Sequence, residues 1–273
     1  MVFQSIRFSP YEQAFRGFEI ACDGKIRRMI LSESKTTDIY AEISNMMPDI
    51  IVAIGRDALA QVTNLADIPL IYFMVMNPEP EVFENRNISG VSMNVSYDIQ
   101  LRTLLKVIPR MKSLGLLYDP YRNTVFVEKA REAAEETDIR LLPSVVHSLR
   151  DVPSALNDLK SAIDALWMLP DPAINSPEAL EMLLLFSLEN KIPILTFSEK
   201  YLRLGAFISI SADPSDMGIL AGEMANRILE GDQTALRQHI NAKKAKVEIN
   251  HKLAGKLGID IATKVLREVG SDG

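Results

Sequence analysis

Asp49-Ile50-Ile51-Val52-Ala53-Ile54 runs through Gly55 into a helical stretch and then into Ile68-Pro69-Leu70-Ile71. Short runs of Ile, Val and Leu without polar alternation are the pattern of strands covered on both faces. A strand, a helix and a second such strand make a βαβ unit with parallel strands. The second half repeats it: Asp164-Ala165-Leu166-Trp167-Met168-Leu169 leads through a helix to Ile192-Pro193-Ile194-Leu195. Working outward, Leu114 to Tyr118, Leu141 to Val146 and Ala206 to Ile210 read as further strands, with the runs above extending to Val75 and Phe197. Apolar residues at steps of three and four mark helices: Tyr11, Ala14, Phe15, Phe18 and Cys22; Leu101, Leu104, Leu105 and Ile108; Met217, Leu220, Ala221, Met224 and Ile228. The expectation is an α/β fold built as two similar three-layer α/β/α lobes with parallel sheets, around a ligand cleft.

Composition fits that expectation. The chain has 273 residues, 47% hydrophobic and 24% charged, enough for two cores. Thirty Lys and Arg against 36 Asp and Glu leave a net charge of −6, which argues against nucleic acid as partner. The short basic run Lys243, Lys244 and Lys246 reads as solvated surface. The single Cys22 reads as buried filler and allows no intrachain disulfide. The apolar runs are too short to cross a bilayer. Met1-Val2-Phe3-Gln4 does not have the form of a signal peptide, so the chain is expected either to be cytoplasmic or to be numbered after a removed leader.

Catalytic motifs are thin. Gly90-Val91-Ser92-Met93-Asn94 fails the nucleophile-elbow pattern at its last position. Neither a dinucleotide fingerprint nor a phosphate loop occurs. His147, His239 and His251 have no metal-ligand spacing, and Trp167 reads as core. No cofactor is expected, and weight moves from enzyme to binding protein. The informative positions are strand ends and helix starts, where a parallel sheet receives ligands and helix N-termini favour anions. Ser9-Pro10 with Glu12 reads as a capping box. Ser176-Pro177 and Asp213-Pro214 repeat the cap-plus-proline device, Asn123 or Thr124 is expected to cap the helix after Tyr118-Asp119-Pro120, and Ser198 the next. Strand-end loops add Arg56 and Asp57, Asn77 after Met76, Asp171 and Asn175, and Glu199. One arginine, helix N-termini and a few carboxylates suit a small zwitterion: its anion would meet N–H groups and Arg56, its ammonium Asp171 or Glu199. The ligand-binding set is therefore Ser9, Tyr11, Arg56, Asp57, Met76, Asn77, Tyr121, Asn123, Thr124, Asp171, Asn175, Ser198, Glu199 and Asp213.

Longer segments resemble a known family. Ile68-Pro69-Leu70-Ile71-Tyr72-Phe73 through Asn77-Pro78 is similar to the I-P-I-V-F…D-P segment of ABC-transporter substrate-binding proteins of the tryptophan and phenylalanine receptor type, related to type I periplasmic binding proteins. Asn87 to Ser92, Leu114 to Pro120, Leu204 to Ala206 with Met217 to Ala225, and Ile249 to Ile259 match further family segments in order. The resemblance covers nearly the whole chain. It implies a non-enzymatic receptor that captures a small solute by hinge closure and delivers it to ABC permease subunits, as a monomer, in the periplasm or on a lipid anchor outside the cytoplasm. Arg56 stands where the family has a small or hydroxyl residue, and Asn77 where it has aspartate, so an aromatic amino acid as ligand does not follow. Crossings between lobes are expected near Met93 to Ser96, Ser211 to Pro214 and Lys246 to Asn250. Lobe one would hold 1–94 plus 213–246, and lobe two 95–212 plus 247–273. The alternatives are a ligand-sensing regulatory domain on the same lobes, or a hydrolase or transferase with Asp171 or Glu199 as acid or base.

Overall fold

The computed structural model describes residues 1–34, 38–65, 68–76, 78, 82, 87–171 and 176–261. The chain divides into two compact units: unit one is Met1–Val95 with Ala212–Lys244, and unit two is Ser96–Ser211 with Ala245–Gly273.

Unit one carries β1 (Val2–Gln4), α1 (Ser9–Ala21), β2 (Arg28–Ile30), α2 (Ile39–Met46), β3 (Ile51–Ile54), α3 (Arg56–Val62), β4 (Leu70–Val75) and β5 (Ile88–Ser92). Unit two continues with α4 (Tyr97–Val107), β6 (Ser113–Tyr118), α5 (Pro120–Glu136), β7 (Arg140–Val145), α6 (Val152–Leu159), β8 (Ala165–Trp167), α7 (Pro177–Asn190), β9 (Ile194–Thr196), α8 (Glu199–Leu204) and β10 (Ile208–Ala212). The chain then returns to unit one for α9 (Pro214–Leu229) and β11 (His239–Asn241), and ends in unit two with β12 (Ala245–Ile249) and α10 (His251–Leu257).

The two sheets share one order, β2-β1-β3-β4-β5-β11 in unit one and β7-β6-β8-β9-β10-β12 in unit two. The pairs within β2 to β11 are parallel, as are those joining β7, β6, β8, β9 and β10. The doubled sequence unit supplies the third and fourth positions of each sheet, β3-α3-β4 and β8-α7-β9. Both faces of each sheet are covered. In unit one Ile51 and Ala53 pack with Ile39, Ile43, Leu59 and Val62 of α2 and α3. The opposite face meets α1, where Phe18 stacks on Phe73 at 5.9 Å. In unit two Leu166, Met168 and Ile194 pack under α6 and α7.

Helices α1 and α9 approach very closely. A Cβ built on Gly218 would lie 1.9 Å from the Ala14 carbonyl oxygen, and one on Gly17 2.2 Å from that of Ser215. The two glycines permit this crossing, and it joins a late segment of the chain to the first helix of unit one.

Three local expectations change. Ser9 does not cap α1: Phe8 is the N-cap residue, without a side-chain cap bond, and Ser9 lies inside the helix. The Glu12 carboxylate instead takes Gln4 Nε2 at 2.9 Å and the Arg28 guanidinium, a charged partner that outcompetes a backbone N–H. Neither Asn123 nor Thr124 caps α5. Asp119 does, accepting from the Tyr121 N–H at 3.0 Å, with Pro120 at the helix start. Cys22 is half-buried at the end of α1 rather than core. Ser176, Ser198 and Asp213 do cap their helices.

Candidate functional site

In a doubly wound sheet the chain leaves its first strand in one direction and later returns past it in the other. The crevice at that reversal lies at the carboxyl ends of the strands and receives ligands. In unit one it falls between β1 and β3, in unit two between β6 and β8.

In unit one Ser5 follows β1, and its hydroxyl is fully committed. It accepts from the Ala58 N–H at 2.9 Å and donates to the Ile54 carbonyl at 3.2 Å. This ties the loop after β1 to the start of α3. Gly55 bridges β3 and α3 at φ +90°, and a Cβ there would lie 2.7 Å from both Ser5 Oγ and the Tyr11 ring. The Tyr11 ring therefore rests against bare backbone at the reversal. Burial, followed by the nearby charge of Asp57, raises the Tyr11 hydroxyl pKa, which keeps it a neutral donor. Arg56 and Asp57 open α3 and are exposed. Phe8 meets Tyr11 edge-on at 5.8 Å.

In unit two the same position is acidic. The Asp171 side chain is completely buried, and its Oδ2 accepts from the Asp119 N–H at 3.2 Å and from Asn123 Nδ2. Asp119 and Asn123 are themselves 9% exposed. Asn123 has non-helical backbone angles, φ −125° and ψ 15°, inside the first turns of α5. One turn further along α5, Phe126 meets Trp167 at 5.3 Å and Tyr97 at 4.7 Å, both edge-on. Burial raises the Tyr97 hydroxyl pKa. Tyr121 is 91% exposed, with its ring near His147 at 6.1 Å.

The structure thus brings Tyr11, Arg56 and Asp57 together in unit one, and Asn123 and Asp171 together in unit two. The remaining expected residues are spread more widely. The Thr124 hydroxyl donates to the Pro120 carbonyl at 2.6 Å, and Ser9 is exposed. Glu199 pairs with Arg203 at 3.0 Å and Lys246 at 3.6 Å, so its charge is already answered and Lys246 is not simply solvated. Asp213 takes the Asp216 N–H at 2.9 Å, while its own N–H donates to the Lys244 carbonyl at 3.1 Å. Met76 is half-buried beyond β4, in which Met74 takes φ +57° at a register shift against β5. Asn77 and Asn175 lie outside the described residues. Sequence reasoning passed over Ser5, Gly55 and Asp119. Asp119-Pro120 carried a signal, the same cap-plus-proline device as Asp213-Pro214; Ser5 carried none, because its partners come from β3 and α3.

A family model for ABC transporter substrate binding proteins matches residues 23–272. The chain belongs to that family. The family consists of binding proteins rather than enzymes. Family members act outside the cytoplasm; among the described residues no helix is long and apolar enough to cross a membrane. A tyrosine-binding protein of Clostridioides difficile is 26% identical over 205 residues, 72% of this chain. The chain spans 59% and 64% of the lengths of two curated relatives it matches. Among solved structures, the ligand-free, open form of a Clostridium difficile substrate binding protein with adhesive properties has a TM-score of 0.73 at 22% identity, covering 96% of this chain and 95% of that one. A Streptococcus pneumoniae domain in complex with L-Trp has a TM-score of 0.61 at 22% identity, covering 98% of each chain. These similarities show the two-sheet α/β fold of periplasmic substrate-binding proteins.

Proposed function

We propose that this protein is the solute receptor of an ABC importer and that it captures a small zwitterion, an amino acid or a close analogue, by hinge closure of its two units. The observation that carries this reading is the opposed chemistry of two equivalent positions. Unit one offers a guanidinium and a neutral tyrosine hydroxyl at its reversal point, groups that suit a carboxylate. Unit two offers a buried carboxylate whose negative charge favours an ammonium placed nearby. A ligand bearing both charges answers both units at once, and contacts made by both favour the closed state. The amino-acid ligands named for the tyrosine-binding relative and the L-Trp complex support the same class. On this reading the solute is handed to membrane permease subunits, the receptor works as a monomer, and it reaches its place through a removed leader or a lipid anchor.

Ligand capture then needs both units and compacts the molecule. Small-angle scattering with and without L-tyrosine, alongside calorimetry, tests this. The radius of gyration should fall at saturation. A saturated protein with an unchanged scattering curve would end the hinge-closure reading.

A further inference from the structure

The amine-recognising role proposed for unit two leaves open which atoms meet the ligand. Asp171 is the obvious candidate from sequence, yet its side chain has no accessible surface. A carboxylate at that depth is stable only when donors surround it. Two of its donors come from one place, the Asp119 N–H and the Asn123 carboxamide, at the cap and in the first turns of α5. Asp119 in turn caps the helix through the Tyr121 N–H, and its carboxylate lies 3.8 Å from Arg122. Asn123 departs from helical geometry where it reaches Asp171. The break in the helix and the bond to Asp171 thus fall on the same residue.

We propose that Asp171 is a positioning residue for ligand recognition: it holds the start of α5 so that Asn123, and Phe126 just beyond it, present a fixed polar and aromatic edge to the ligand. Phe126 lies three residues beyond the break at Asn123, so the direction α5 takes from that break also sets where Phe126 sits. Phe126 is packed edge-on against both Tyr97 and Trp167. Asp171 fixes the geometry without touching the amine.

Trp167 is the only tryptophan of the chain, so its emission reports this cluster directly. The experiment uses the full chain as wild type, Asp171→Asn, Asn123→Ala and the double variant, first without ligand and then titrated with L-tyrosine by calorimetry. Without ligand, Asp171→Asn should shift Trp167 emission, and the Asn123 side-chain amide signals in nitrogen-edited NMR should move from a strongly hydrogen-bonded position to an ordinary one. With L-tyrosine, each single variant should lose about tenfold or more in affinity, the scale of a charge-assisted bond. The double variant should lose little beyond the larger single loss, because both break one element. Losses that simply add, or unchanged affinity in Asp171→Asn, overturn the proposal. Should wild type fail to bind L-tyrosine, the ligand class proposed above falls, and the ligand-free arm still decides: unchanged Trp167 emission and unchanged Asn123 signals in Asp171→Asn overturn the positioning role. If Asp171→Asn does not fold, Asn123→Ala carries the ligand-free test, since it leaves the carboxylate in place; unmoved Trp167 emission there counts equally against the idea.

Discussion

The reversal points of the two units occupy the same place in the same sheet order, yet they are held by different means. In unit one the loop after β1 is fixed by a neutral hydroxyl, Ser5, and by the Tyr11 ring lying on bare glycine backbone. In unit two it is fixed by a fully buried carboxylate that gathers the cap and first turns of α5. The same sheet order therefore places two chemically different sets of side chains at equivalent strand ends. On the proposed reading, the Tyr11 hydroxyl and the Arg56 guanidinium of unit one would answer a carboxylate, and the buried charge of unit two an amine.

Asp171→Ala should have the largest effect. It strands two buried donors in unit two, so urea unfolding should show about 2–4 kcal/mol of lost stability. A loss under about 1 kcal/mol, the size of one ordinary hydrogen bond, would mean that the carboxylate does not organise its unit. Next in size is Arg56→Ala, which should weaken ligand binding by about 1.5–3 kcal/mol while leaving the unfolding midpoint almost unmoved. Arg56→Lys should restore only part of it, since an ammonium lacks the planar fork. Unchanged affinity would remove the guanidinium from the anion side. Gly55→Ala should cost about 1–3 kcal/mol in the same unfolding assay, from the positive φ and the contact with Ser5 and Tyr11. Equal stability of the two chains would show that Tyr11 does not rest there.

The smallest expected effect concerns pH and lies away from both reversal points. His239 Nδ1 is 3.0 Å from the Tyr72 hydroxyl, which burial pushes up to about 12. Burial lowers the His239 pKa. A histidine whose folded value is depressed gives stability that is complete above the unfolded value, about 6.5. That stability is lost as pH falls through it toward the folded value, because the unfolded chain binds the proton first. His239→Gln should flatten this part of the curve of stability against pH. Parallel curves for the two proteins would show that His239 titrates as in an open chain.

Much of the fold was legible in the chain, and the reason is physical. β3, β4, β8 and β9 are buried on both faces, so their side chains must be apolar throughout and announce themselves. The central strands β1 and β6 differ in this respect. Leu114 to Tyr118 was plain, but β1 has three residues and ends in Gln4, whose amide is consumed by Glu12 and Arg28. A strand that short has no period to read. β2, β11 and β12 were missed too, being half-exposed and carrying Arg28, His239, Lys246 and Glu248, and so was the buried β5, whose apolar run is broken by Ser89 and Gly90. The candidate site was legible as a set of places rather than as contacts. Arg56 and Asp171 follow strands in sequence, whereas the bonds from Ser5 to Ala58 and from Asp119 to Asp171 span about fifty residues. Asn123, at the break in α5, is bonded to Asp171, a partner that no local pattern contains.

The proposed solute carries both a carboxylate and an amine. The most direct test measures melting temperature of the full chain against the standard amino acids, their decarboxylated and deaminated analogues, and common monosaccharides, since a ligand that binds the folded state raises the midpoint by mass action. At least one amino acid should raise it, while the same molecule stripped of either its carboxylate or its amine should not. A monosaccharide that raises it where no amino acid does, or an analogue lacking one charge that performs as well as its parent, would rule out a zwitterion as the solute.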